Sequence, residues 1–188
     1  MKKRAGRKSI RLPEYDYSQA GAYFVTVSCY QKMDLFGFID GEQVRLNELG
    51  LLTQQYWQSI PEHFNFVTLD AFIVMPNHIH GILFINEYES LSRRHPLNGQ
   101  KSQARVGARH ASPLPKPRGT SRGSLGAIVG AYKSSVTRTI RQLKHHASLQ
   151  IWQRNYYERV IRNQAELEAL RNYVEYNYLS PLSTRKSK

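Results

Sequence analysis

One cysteine, Cys29, is all the thiol chemistry these 188 residues carry. That excludes an intrachain disulfide and any zinc cage of several thiolates, and it suits a reducing compartment. Long apolar runs are missing as well. No stretch reaches the roughly 18–20 apolar residues that a membrane span requires, and the basic opening Met1-Lys2-Lys3-Arg4 leads into no apolar segment. The expectation is a soluble cytoplasmic protein with no membrane role. Acidic residues are scarce: 14 Asp and Glu stand against 27 Lys and Arg, a net charge of +13. Such an excess decides little about fold, but it points to polyanionic partners, nucleic acid before an acidic membrane surface.

Aromatic side chains, by contrast, are plentiful, with 12 Tyr, 7 Phe and 2 Trp. Bases stack on aromatic rings, so a basic and aromatic chain favours single-stranded nucleic acid over a membrane. The Phe residues are expected simply to pack the core. The length suits one domain, residues 1–188, bearing an insertion. Residues 1–20 form a basic, mostly polar arm up to Tyr15-Asp16-Tyr17. Ala22 to Tyr30 is rich in aromatic and β-branched residues and reads as a strand, and Phe36 to Ile39 is a short extended piece. Leu49, Leu52, Tyr56 and Ile60 recur at helical spacing, which predicts a helix over about residues 46–60, ended by Pro61.

Val67 to Val74 and His78 to Ile85 read as an antiparallel hairpin across the short Met75-Pro76-Asn77 link. Residues 87–123 then lose apolar periodicity and hold eight Lys or Arg, two Glu and four Pro, which marks a flexible basic insertion. Leu125, Ile128, Val129, Tyr132, Val136 and Ile140 restore helical spacing to about residue 143, with Ser124 as N-cap. Ile151-Trp152-Gln153 and Tyr156 to Ile161 are extended candidates. Asn163 caps a final helix, residues 163–179, with the core stripe Leu167, Leu170 and Val174. The order strand, helix, strand, strand, helix, strand, helix is that of an α+β, ferredoxin-like (split βαβ) antiparallel sheet with helices on one face and an added C-terminal helix.

His78 and His80 stand two positions apart in a strand, so their side chains share one face. Two adjacent imidazoles can hold one divalent metal, although His-x-His alone is equally a pair of hydrogen-bonded, partly buried histidines. A metal so held needs a further ligand and a reaction that uses it. The last helix offers both on one face, in Tyr173 and Asn177 at i, i+4. An Asn carbonyl can ligate a metal, and a tyrosine oxygen can attack phosphorus. Tyr176 and Tyr178 remain rival nucleophiles on spacing alone, and packing beside Leu170 and Val174 is the ordinary role for Tyr173.

As an ordered set, several segments resemble the single-tyrosine HUH transposases, in the branch that includes the REP-associated tyrosine transposases. These are Leu12-Pro13-x-Tyr15-Asp16-Tyr17, Gly21 to Thr26, Leu35-Phe36-Gly37, Met75 to Gly81, Tyr132 to Arg138, Ile151 to Glu158 and Ile161-Arg162-Asn163. The resemblance covers most of the chain outside the insertion. It implies a ferredoxin-like fold and a metal-dependent (Mg²⁺ or Mn²⁺) transposase that cuts and rejoins single-stranded DNA at hairpin-forming ends through a 5′-phosphotyrosine. Carried over by position, His78 and His80 are paired metal ligands, Tyr173 is the nucleophile and Asn177 the third ligand. One departure is that Tyr178, not Pro, follows Asn177, and Tyr176 pairs with Ser180 at the same interval as Tyr173 with Asn177.

Within this reading Lys133, Arg138, Arg141 and Arg154 become DNA-phosphate contacts, with a solvated charged face as the alternative. Arg159 and Arg162 are similar. Trp152 is expected in the core, and His145-His146 in a polar loop. Either a monomer or a homodimer fits. The rival class is a non-catalytic binder of single-stranded nucleic acid on the same sheet. A metal-dependent hydrolase that forms no covalent intermediate is a third reading.

Overall fold

Strict alternation of side chains builds the sheet. In the computed structural model, which describes residues 15–87, 121 and 123–177, strand β1 (Gly21–Ser28) turns Tyr23, Val25 and Val27 to one face. Phe24 and Thr26 fall on the other. A two-stranded hairpin, β2 (Gly37–Asp40) and β3 (Gln43–Leu46), follows, and then helices α1 (Glu48–Gln58) and α2 (Ile60–His63). Strands β4 (Val67–Met75) and β5 (His78–Ile85) come next, then α3 (Leu125–Leu143), β6 (Tyr157–Ile161) and α4 (Gln164–Glu175).

The main sheet has the order β4-β5-β1-β6, and every neighbouring pair is antiparallel. This is the ferredoxin-like arrangement that the element order implied. Helices α1 and α3 cover one face through Tyr23, Val25, Ile79, Leu83, Trp57, Ile128 and Val136. Helix α4 covers the opposite face, where Leu167 and Val174 pack on Phe24, Ile82 and Ile161. Burying each of these apolar side chains contributes about 1.5–3 kcal/mol, which holds α4 on this face of the sheet. Arg171 clamps the same helix to β4, donating from Nε and Nη2 to Asp70 Oδ2 at 2.9 and 2.6 Å.

The caps of α3 and α4 fall where the sequence placed them, at Ser124 and Asn163, while the cap of α1 at Asn47 was not anticipated. Asn47, Ser124 and Asn163 each accept a backbone N–H in the first turn of α1, α3 and α4. Three boundaries differ from expectation. Strand β3 is additional, reached through a turn at Gly41 with φ +58°. Pro61 does not finish the helical region; it sits in the first turn of α2, where its missing N–H costs nothing. Helix α4 closes at Glu175, so Asn177 lies just past the helix on which it was expected. Residues 1–14 of the arm, 88–120 and 122 of the insertion, and 178–179 of the last helix lie outside the described residues.

Candidate active site

Even-numbered residues of β5 face α4, and this parity brings both histidines under that helix. His78 and His80 place their Nε2 atoms 3.0 Å apart, with His80 almost fully buried. His80 lies opposite Thr26 in β1 and His78 opposite Ser28. Each ring is anchored through its other nitrogen. His80 Nδ1 lies 2.8 Å from Thr26 Oγ1, and His78 Nδ1 lies 2.7 Å from Asn77 Oδ1. Asn77 Nδ2 donates to Asp34 Oδ1 at 2.7 Å, which turns Asn77 Oδ1 toward the ring. Since Oδ1 can only accept, His78 carries its proton on Nδ1 and keeps the Nε2 lone pair free.

Phe24 stacks on His80 with ring centroids 5.4 Å apart. Across from it, Tyr173 on α4 sets its hydroxyl 3.4 Å from His80 Nε2 and its ring edge-on to both His80 and Phe24. Asn177, 5 % exposed, hydrogen-bonds the His78 ring from the turn beyond α4. Four residues chosen from the sequence therefore meet in one chain: His78, His80, Tyr173 and Asn177. Tyr176 is 53 % exposed and occupies the C-cap of α4, where its backbone N–H donates to Asn172 O.

Burial pushes the His78 imidazole down to about 4, helped by the positive charge of Lys32. Burial likewise takes His80 down to about 3, with His78 and then Lys32 adding to the effect. Both rings are neutral at pH 7, the state in which imidazole binds metal. Lys32 donates to Ser28 Oγ at 2.8 Å and holds a left-handed backbone (φ +58°), as does Gln31 (φ +52°). Such strain in non-glycine residues beside a site is held by the surrounding structure.

The donor set fits a small divalent cation. Adjacent corners of an octahedron of 2.0–2.1 Å radius are about 3.0 Å apart, which is the separation of the two Nε2 atoms. The Asn177 side chain borders the His78 ring, so its amide oxygen is the third donor available. Among the described residues no group of three or more His, Cys, Asp or Glu gathers, here or elsewhere, so the third protein donor at this site would be the Asn177 amide. Cys29 is buried with its thiol pushed up to about 12, so it is no nucleophile.

Lys133, Arg138, Arg141 and Arg154 line a groove of about 1070 Å³ between α3 and the segment 145–154. Two of the four are partly committed to the fold. Lys133 Nζ donates to Gln153 O and Arg154 O, and Arg141 Nε donates to Leu149 O. Burial also pushes the Lys133 ammonium down to about 8. Trp152 donates from Nε1 to Lys133 O and packs on Phe36 and Tyr132, the core role expected. The exposed His145 and His146 lie in a turn along the groove. At one end Gln153 N donates to Ser28 O, so the groove reaches the strand position opposite His78.

Sequence reasoning missed Thr26, Asp34, Phe24 and Lys32. Only the parity of β1 hinted at Thr26 and Phe24. Asp34 and Lys32 belong to an irregular loop whose placement no periodicity encodes.

No protein-family model matches the chain. An uncharacterized protein of Haemophilus influenzae is 39 % identical over 171 residues, covering 91 % of this chain and 87 % of its own length. The chain belongs to the same family as that protein. In fold it is similar to a REP-associated tyrosine transposase solved bound to a REP hairpin. That likeness has a TM-score of 0.52 at 17 % identity, and covers 89 % of this chain and 73 % of the other.

Among the described residues no helix is long and apolar enough to cross a membrane.

Proposed function

We propose that this protein is a metal-dependent single-stranded DNA transposase, a strand transferase working through a 5′-phosphotyrosine on Tyr173. One observation carries the reading. The Tyr173 hydroxyl stands 3.4 Å from Nε2 of a histidine whose neighbour's Nε2 converges on the same point. The fold shared with the hairpin-bound transposase supports the same class.

His78, His80 and Asn177 would hold Mg²⁺ or Mn²⁺, which when bound supplies positive charge to a non-bridging phosphate oxygen. Tyr173 Oη attacks phosphorus, forming a P–O bond to the tyrosine while the bond to the 3′-oxygen breaks. The phenolic proton leaves to solvent, and the departing 3′-oxygen takes one up as a 3′-hydroxyl. Attack by a 3′-hydroxyl on the phosphotyrosine reverses these changes and rejoins DNA, so no external energy source is needed. Lys32, beside Ser28, adds a cation near the scissile phosphate. Asp34 and Asn77 hold His78 in the ligating tautomer, and Phe24 keeps water from one side of His80. The site is complete within one chain, which favours catalysis in cis by a monomer or by either half of a homodimer.

Hairpin-forming DNA is the proposed substrate, with its phosphates along the α3 groove at Arg138 and Arg154 and, in part, Lys133 and Arg141. The net charge of +13 suits this. Incubation with a labelled hairpin oligonucleotide and Mg²⁺, followed by a denaturing gel, tests the class. A retarded covalent band that Tyr173→Phe abolishes is expected. Retention of binding without any adduct favours the non-catalytic binder, and cleavage with no adduct favours a hydrolase.

A further inference from the structure

A second groove, of about 860 Å³, runs between β6 and α4 and ends at Tyr173. Tyr17, Tyr157, Arg159, Arg162 and Glu166 line it. Its charge differs from that of the α3 groove. Glu166 takes Arg159 Nε at 2.5 Å with one oxygen and the Arg162 backbone N–H at 2.9 Å with the other. The Arg159 cation is thereby neutralised in place, and a phosphate track is not what these walls form.

They form a slot for a flat, uncharged aromatic group. Tyr157 is 44 % exposed in the edge strand of the sheet, and Tyr173 is 46 % exposed at the groove's end. Tyr157 meets Phe24 only edge-on, with centroids 6.4 Å apart, and Phe24 in turn abuts Tyr173 at 6.0 Å. Ring contacts thus link the exposed tyrosine of the groove to the reactive one. A base inserted here would stack on Tyr157 while the adjoining phosphate lay at the Tyr173 hydroxyl. Arg162 and Tyr17 would border its polar edge.

We propose that the β6–α4 groove is a nucleobase-binding subsite, in which Tyr157 stacks on an unpaired base next to the phosphate attacked by Tyr173. Tyr157 is then a positioning residue, and the inference rests on the transposase reading for what it positions. Binding itself needs no cleavage, so the two can fail separately.

The probe is an oligothymidylate with one central 2-aminopurine, whose fluorescence falls when it stacks. The full chain should quench it, Tyr157→Phe should do so equally, and Tyr157→Ala should abolish the quenching. Affinity in Tyr157→Ala should drop about five- to tenfold, the low end of the range for loss of one base stack. Its salt dependence should stay that of the parent, because no phosphate contact is lost. Arg138→Ala in the other groove should flatten that salt dependence and keep the quenching. Circular dichroism and thermal melting confirm that the variants are folded. Equal quenching and affinity in Tyr157→Ala would overturn the subsite, as would no quenching in the parent protein. A flattened salt dependence in Tyr157→Ala would assign the groove to phosphates instead, and overturn it too. Quenching without any covalent adduct would leave the subsite standing and remove the transposase reading.

Discussion

The Tyr173 hydroxyl and His80 Nε2 lie 3.4 Å apart although 93 residues of chain separate them. Two independent features hold that distance. Parity along β5 puts His80 on the α4 face, and the Leu167–Val174 stripe with the Arg171–Asp70 clamp sets α4 in place above it. Neither element touches the chemistry alone. The site arises where a period of two meets a period of 3.6.

Acid should weaken the metal-free protein through this site. Both imidazoles are held below their unfolded value of 6.5, at about 4 and about 3. The unfolded chain therefore binds more protons below pH 6.5. The stability is present in full above that pH and is lost as pH falls toward the folded values. The slope is at most about 1.4 kcal/mol per pH unit per histidine. Urea midpoints measured in chelator at pH 7 and pH 5 should separate clearly, and should separate much less in the His78→Ala/His80→Ala variant. Equal separations would mean that the pair titrates normally.

The Asp34–Asn77–His78 chain should matter to metal binding more than to folding. Asp34→Ala frees Asn77 to rotate, and His78 loses its preference for the proton on Nδ1. Mn²⁺ affinity, followed by electron paramagnetic resonance, is expected to fall about tenfold. Nitrogen-15 shifts of the metal-free protein should show His78 moving from one tautomer to a mixture. An unchanged tautomer in Asp34→Ala would remove Asp34 from the site.

Gly81 should resist enlargement. A Cβ there would stand 2.2 Å from the Trp57 ring, which is itself stacked on Phe72 with centroids 4.8 Å apart. Gly81→Ala must shift either β5 or Trp57, at a cost of about 1–3 kcal/mol. For a chain of this size the melting temperature falls about 2–4 °C per kcal/mol. A melting temperature within 1 °C of the parent, on the order of the scatter expected for neutral surface changes, would show that Trp57 moves freely.

Much of this fold was legible because apolar periodicity survives in β1, β4, β5, α3 and α4, and because Ser124 and Asn163 carry capping oxygens. Strand β3 was not, since Gln43 and Arg45 give it a polar exposed face and only Val44 and Leu46 mark the other. The pairing of His78 with His80 could be read from strand parity. Its supports could not: Thr26 lies 54 residues from His80 and Asp34 lies 43 from Asn77. Such contacts are set by register between strands and by an irregular loop. Lys133 and Arg141 read as free surface cations because sequence does not reveal the carbonyls of Leu149, Gln153 and Arg154 turned toward them.

The most direct test of the central claim is peptide mapping of the covalent product formed with a hairpin oligonucleotide and Mn²⁺. Mass spectrometry should find the nucleotide on Tyr173 in the wild-type chain and in Tyr176→Phe. It should find none in Tyr173→Phe or in His80→Ala, nor in an equimolar mixture of those two proteins if the site works in cis. Modification at Tyr176, or an adduct that survives in Tyr173→Phe, would contradict the assignment of the nucleophile.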